Sequence, residues 1–116
     1  MSTRVPGELI AARVAVLPDG DVAEVIVTER TGPYSVTLRE AYGRWVGGGA
    51  WSAWRLVAEA VSDVSIAADP SGEVPAALIS AVIFVPVPLG AIAANHQRSQ
   101  LAHFRLTPDG VVTADL

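Results

Sequence analysis

The residues best suited to binding chemistry are concentrated between positions 42 and 56. This segment holds all three tryptophans of the chain and its only glycine triplet. A tryptophan ring can cover the C–H face of a sugar, while guanidinium groups donate hydrogen bonds to its hydroxyls. The candidate ligand-binding residues are Tyr42, Arg44, Trp45, Trp51, Trp54 and Arg55. The same tryptophans would also stabilise a core, so the pattern leaves a binding surface and a structural cluster both open.

Acid–base chemistry has fewer candidates. His96 and His103 are the only histidines, and no neighbouring carboxylate or histidine spacing completes a metal site. His96 could act as a general base at the mouth of an apolar pocket, with Glu40 as the other acid–base candidate. Cysteines, a phosphate-binding loop and a nucleophile motif are all missing from the sequence. We therefore assign no catalytic residue, no metal ligand and no cofactor.

The segments that would position these residues have the pattern of strands. Residues 9–17 and 22–29 are rich in apolar and β-branched types and flank a Pro18-Asp19-Gly20 turn, which predicts a hairpin. Residues 34–42 alternate in polarity and predict a third strand. Its drier face is expected to carry the even-numbered residues: Tyr34, Val36, Leu38, Glu40 and Tyr42.

The segment from 51 to 64 is ambiguous. It reads as a fourth strand after the glycine turn, yet its apolar residues also recur at helical spacing, and Ser52 could cap a helix. We favour the strand and keep a helix over 51–64 as the alternative.

The second half of the chain resembles the first. Residues 64–80 can be laid on 14–28, with Gly72 matching Gly20, and shorter strand-like runs follow at 101–106 and 111–116. Four strands recurring at a period of about 50 residues are typical of propeller blades. A sandwich built of hairpins gives a similar rhythm.

The run at residues 50–56, Ala-Trp-Ser-Ala-Trp-Arg-Leu, preceded by Tyr42-Gly43-Arg44-Trp45, resembles the tryptophan segment of tectonin-type propeller lectins. The resemblance covers about residues 20–80. It implies blade-like units that bind sugars at their junctions. Because two units cannot close a ring, it also implies assembly, as in the two-blade fucose lectins. The second half has no tryptophan and contains an unmatched stretch from Val82 to Gln100.

Composition limits the classes of partner. The chain has 116 residues, is 51% hydrophobic and carries a net charge of -4, with its basic residues scattered, so a nucleic-acid groove is not expected. The apolar run 81–94 is too short and too broken by proline to span a bilayer. We expect residues 82–92 to form an edge strand or an apolar loop at a subunit interface, with a core loop or the wall of a substrate pocket as the alternatives. We expect the protein to be a cytoplasmic homo-oligomer without a membrane partner.

Together these features predict one all-β domain over residues 1–116. Its architecture would be two four-stranded antiparallel units that resemble propeller blades, or a small β-barrel or sandwich. The leading function is a lectin-like carbohydrate-binding module assembled as a homo-oligomer. The alternatives are a small oligomeric β-barrel enzyme, of the cyclase or isomerase type, that takes a small apolar molecule, and a structural assembly protein.

Overall fold

A computed structural model describes residues 5–47, 50–69, 75–86 and 97–114. Within these ranges the regular structure is antiparallel β-sheet, apart from a single 3₁₀ turn at Pro33–Ser35. The strands are β1 (Glu8–Val16), β2 (Val22–Thr31), β3 (Thr37–Gly47), β4 (Ala50–Trp51), β5 (Arg55–Glu59), β6 (Val61–Ala68), β7 (Ala77–Pro86), β8 (Gln97–Thr107) and β9 (Gly110–Thr113). The predicted all-β class is confirmed, and no helix in the described ranges is long and apolar enough to cross a membrane.

The strands form two sheets with the same simple order. The first sheet runs β1-β2-β3-β4, and β5 pairs with β3 further along the same edge. The second sheet runs β6-β7-β8-β9. Two antiparallel units with four strand positions each were predicted and are confirmed. The described strands make two open sheets and no closed barrel, so the barrel alternative for the fold is wrong.

The hairpin between β1 and β2 forms at the predicted turn. Gly20 has a φ of 94°, a left-handed conformation that glycine adopts without steric cost. The Leu17 N–H donates to the Asp21 carbonyl at 2.8 Å, and the Gly20 N–H donates to the Leu17 carbonyl at 2.9 Å. These bonds close the turn and bring Val16 opposite Val22.

The drier face predicted for the third strand is correct only in part: Leu38 and Glu40 are more buried than Thr37 and Arg39, but from Ala41 onward the odd-numbered side is the buried one. Tyr34 lies in the 3₁₀ turn and is 98% exposed, and the strand begins only at Thr37. The buried side of β3 carries Ala41, Gly43 and Trp45. A Cβ atom at position 43 would lie 3.2 Å from a Val57 methyl carbon and 3.4 Å from one of Leu106, so this side needs small residues where the second sheet approaches.

The region 51–64 is extended, so the strand interpretation is confirmed and the helix alternative is wrong. It comprises the end of β4, all of β5 and the first half of β6. The helical spacing arose because Val57 on one strand and Val61 and Val64 on the next all enter the core. Ala60, between β5 and β6, has a φ of 55°, and this residue passes the chain from the first sheet to the second.

The two sheets pack against each other around a common hydrophobic core. The first sheet contributes Val25, Val27 and Trp45, and the second contributes Ile79 and Leu106, all nearly or fully buried. Alternating residues of β2 and β7 face this core, as expected for half-buried antiparallel strands. Burying such side chains supplies about 25 cal/mol per Å² of apolar surface.

The apolar run 82–92 differs from its prediction. Residues 82–86 belong to β7, which lies between β6 and β8 and is therefore an interior strand of the second sheet. The rest of that run lies outside the described residues, as does the turn containing Gly72 in the proposed repeat. Of the proposed repeat, the structure describes the strand order, and this order is the same in the two halves.

Candidate functional site

Trp45 is a core residue. Its side chain is 3% exposed, and its indole Nε1 donates to Asp21 Oδ2 at 3.0 Å. Its backbone N–H donates to Ser52 Oγ at 2.8 Å, and the Ser52 N–H returns a bond of 2.7 Å to the Trp45 carbonyl. The ring therefore has almost no free surface for a ligand. A tryptophan suits this position because its large apolar ring fills the core while its indole N–H bonds to Asp21 at the β1–β2 turn.

Arg44 lies on the opposite side of β3, on the outer face of the first sheet. Its guanidinium carbon is 4.1 Å from the centroid of the Trp54 ring, and its Nε is 2.9 Å from Glu24 Oε1. Glu24 is the cross-strand partner of Arg44 on β2. The side chains of Arg44 and Glu24 are only 18% and 17% exposed, so the pair is partly shielded from water. A cation over an aromatic face is an attractive contact that also fixes both groups.

Tyr42 is on the same outer face, one step along β3. It lies between Ile26 on β2 and Leu56 on β5, and Leu56 is exposed. Burial raises the pKa of the Tyr42 phenol above its ordinary value, and the negative charge of Glu40 raises it further. We call the following set the aromatic face: Glu24, Tyr42, Arg44, Trp54 and Leu56.

Two other predicted residues do not join this face. Arg55 is paired in register with Gly43, whose side faces the core, and its side chain lies near Gly110 of the second sheet. The backbone of Trp51 pairs with Val46, and its side chain is outside the described part of the chain. Of the six predicted residues, the structure brings Tyr42, Arg44 and Trp54 together and separates Trp45 and Arg55 from them.

A cavity that the sequence did not predict opens at the end of the β2–β3 hairpin. It has a volume of about 600 Å³, within the range of small-molecule sites. We call it the hairpin-end groove. It is lined by Glu29, Arg30, Val36, Thr37, Leu38, Arg39, Glu40, Glu59, Ala60, Val61 and Phe84. The sequence signal was the two adjacent charge pairs at 29–30 and 39–40: the strand register places Glu29 opposite Arg39, with Arg30 and Glu40 on the diagonal.

Both arginines of the groove are engaged in ion pairs. Arg30 Nε is 2.9 Å from Glu40 Oε1, and Arg39 Nε is 3.3 Å from Glu29 Oε1. The hydrogen bond to Glu40, with its negative charge, raises the pKa of Arg30. Glu40, the acid–base candidate from sequence, is nearly buried and accepts this bond. Its position favours a structural and electrostatic role.

His103, on the second sheet, is hydrogen-bonded to a serine. Ser80 Oγ lies 3.0 Å from His103 Nδ1, and the two residues are cross-strand partners on β7 and β8. His96 lies outside the described residues. Across the described ranges, no group of three or more potential ligand side chains is placed to hold a metal ion.

No protein-family model, no curated protein and no solved structure matches the chain. The resemblance to tectonin-type lectins therefore stays a prediction, and function must be argued from the surfaces of the two sheets.

Proposed function

We propose that this protein is a non-enzymatic carbohydrate-binding module, lectin-like in its mode of action, which presents the aromatic face of its first sheet to a glycan. The observation that carries the proposal is the arrangement of Arg44, stacked on Trp54 and bonded to Glu24. Guanidinium and carboxylate groups are planar arrays of donors and acceptors that suit vicinal hydroxyls.

Preorganisation supports this assignment. Immobilising a rotamer-rich side chain on binding costs about 0.5–1.5 kcal/mol. Arg44 is already held by a ring on one side and a carboxylate on the other, so most of that cost is met by folding. Tyr42, whose phenol proton is directed at Glu40, leaves its phenol oxygen to accept a hydrogen bond from a sugar hydroxyl.

The shape of the face indicates the kind of glycan. Arg44 covers one side of the Trp54 ring, so a sugar would use the remaining ring surface, Leu56 and the polar groups beside them. An open sheet face contacts a ligand from one side only. We therefore favour several residues of an extended chain over one enclosed monosaccharide as the ligand.

Self-association is the second candidate role, and one observation favours it. On β1, Leu9, Val14 and Val16 are 58%, 59% and 68% exposed, an unusual concentration of apolar side chains on an outer strand. Val14 is paired in register with Glu24, so this apolar strip adjoins the aromatic face. A homo-oligomer that used the strip would leave glycan binding intact only if the aromatic face stayed uncovered.

The test is binding to a panel of immobilised oligosaccharides, with the oligomeric mass measured in solution on the same preparation. We expect at least one extended glycan to bind. Arg44→Ala and Trp54→Ala should each weaken it by about tenfold, the equivalent of about 1.4 kcal/mol. Arg13→Gln, which removes an exposed arginine from β1, is the matched control and should bind like the unmodified protein.

Two outcomes would contradict the proposal. The first is that no glycan binds. The second is that binding is unchanged in folded Arg44→Ala and Trp54→Ala variants. A monomeric mass would remove the self-association role alone and leave the carbohydrate proposal in place.

A further inference from the structure

The hairpin-end groove is distinct from the aromatic face and presents a different chemistry. We propose that it binds a small organic cation, an ammonium group attached to an apolar or aromatic body. This site does not depend on the carbohydrate proposal, because Tyr42, Arg44 and Trp54 do not line the groove.

The apolar part of the groove would receive the body of the ligand. Val36 and Phe84 line the groove, and they are 52% and 41% exposed. Val61, which is almost fully buried, links this lining to the core. A cavity of about 600 Å³ is large enough for a ligand with a single aromatic ring. Covering these side chains removes apolar surface from water, which favours binding.

The charged residues that line the groove favour a positively charged ligand. Its lining contains three carboxylates, from Glu29, Glu40 and Glu59, against the two guanidinium groups of Arg30 and Arg39. Both guanidinium groups are bonded to carboxylates. Within the described ranges Glu59 is in none of the ion pairs, although its charge also acts on Arg30, so the lining has an excess of one negative charge to meet an ammonium group. A carboxylate ligand would instead have to displace Glu29 or Glu40 from its arginine.

The backbone around the groove fixes its shape. In the described ranges, the residues other than glycine with positive φ are Tyr34 at 60°, Ser35 at 59° and Ala60 at 55°. Ala60 lines the groove, and the other two directly precede Val36. Each such conformation costs about 1–3 kcal/mol and persists only where its surroundings enforce it. The cavity is thus bordered on two sides by constrained turns, which suits a preformed site.

The experiment is a titration of the full chain, labelled with ¹⁵N, followed by amide chemical shifts. The probe is 2-phenylethylammonium, added to about 10 mM because a fragment of this size binds weakly. Its neutral counterpart, 2-phenylethanol, has the same ring and chain length without the charge. We expect the ammonium compound to shift the amides of Val36–Glu40, Ala60 and Phe84. We expect the alcohol to bind about tenfold more weakly.

Glu59→Gln should reduce the affinity for the ammonium compound severalfold while leaving the affinity for the alcohol unchanged. Asp109→Asn, a change of the same charge in the exposed turn between β8 and β9, is the matched control and should have no effect. Amide dispersion in the probe-free spectrum verifies that each variant is folded. The proposal is overturned if the groove amides do not shift, if the alcohol binds as tightly as the ammonium compound, or if Glu59→Gln leaves the affinity unchanged.

Discussion

The two sheets share one strand order but carry different chemistry on their outer faces. On the first sheet, Arg44 pairs with Glu24 and stacks on Trp54, and further ion pairs surround the hairpin-end groove. On the second sheet, the outer polar contact is the hydrogen bond between Ser80 and His103, and Arg105 pairs with Asp69 at 3.0 Å. The difference shows that strand order and surface chemistry are set by separate features of the sequence.

Strand order depends on the core-facing residues, and those that the structure describes are alike in the two halves. Val25 and Val27 on β2 correspond in role to Ile79 and Ala81 on β7. The outer positions do not face the core between the two sheets, so their residue types are set by other contacts. The aromatic face of one sheet and the Ser80–His103 pair of the other can therefore differ without altering the fold.

The largest expected effect is a difference in stability between variants of Trp45, on the inner side of β3, and Trp54, beside its outer side. Trp45→Ala should lower the free energy of unfolding by about 3–5 kcal/mol, because it leaves a cavity and an unpaired Asp21. Trp54→Ala should cost less than about 1.5 kcal/mol, because it removes a partly exposed ring and its contact with Arg44. Urea unfolding followed by far-ultraviolet circular dichroism measures both values.

Trp45→Phe refines this comparison, since it keeps most of the apolar volume and removes the bond to Asp21. We expect the free energy of unfolding of Trp45→Phe to lie between those of the two alanine variants. Equal destabilisation by Trp45→Ala and Trp54→Ala would show that the tryptophans share one structural role, contrary to their positions.

A smaller effect distinguishes the ion pairs of the first sheet. In a double-mutant cycle, Arg44 and Glu24 should show a coupling energy of roughly 1–2 kcal/mol, because their bond is partly shielded. Arg39 and Glu29, whose side chains are 44% and 35% exposed, should show less than about 0.5 kcal/mol. Thermal or urea unfolding of the single and double alanine variants gives both couplings.

The shielded pair should also keep its coupling in 1 M salt, where the Debye length is about 3 Å. The exposed pair of Arg39 and Glu29 should lose most of its coupling energy at the same salt concentration. Equal couplings for the two pairs at low salt would contradict the difference in burial on which the aromatic face depends.

The sequence was sufficient to predict the strands and their antiparallel arrangement. The Pro18-Asp19-Gly20 turn and the β-branched residues that follow carry local signals, and the glycine triplet separates two strands that pair as expected. The side of β3 that faces the core was not predictable in this way. Both sides carry large residues, and a side chain at Gly43 would be crowded by Val57 of β5 and Leu106 of β8, which only tertiary packing brings there.

The candidate sites were harder to predict for the same reason. Trp45 and Trp54 look equivalent in sequence, and their roles differ because one lies on the inner side of β3 while the other adjoins its outer side. A bulge in the pairing of β3 with β5, next to Tyr42, also decides which residues of β5 join the outer face. The groove combines segments from residue 29 to residue 84 that only tertiary packing brings together.

The smallest expected effect is a pH dependence confined to the first sheet. The chain has two tyrosines, so Tyr34→Phe leaves Tyr42 as its only phenol. Because burial and Glu40 raise the pKa of Tyr42, we expect phenolate absorbance to develop at a higher pH in the folded variant than in the unfolded chain. In the unfolded chain the same phenol should titrate near 10.

Because the pKa of Tyr42 is higher in the folded protein than in the unfolded chain, the protein should lose stability as the pH rises above 10. The folded protein keeps the Tyr42 proton at a pH where the unfolded chain has lost it, so the stability contributed by the neutral phenol is complete below pH 10. It decreases as the pH rises from 10 through the pKa of the folded state. Tyr42→Phe should remove this decrease, and Glu40→Gln should bring the titration partway back towards 10, because burial, the larger cause, remains. A Tyr42 that titrates at or below 10 in the folded protein would show that the outer face of the first sheet is as open to water as an ordinary surface.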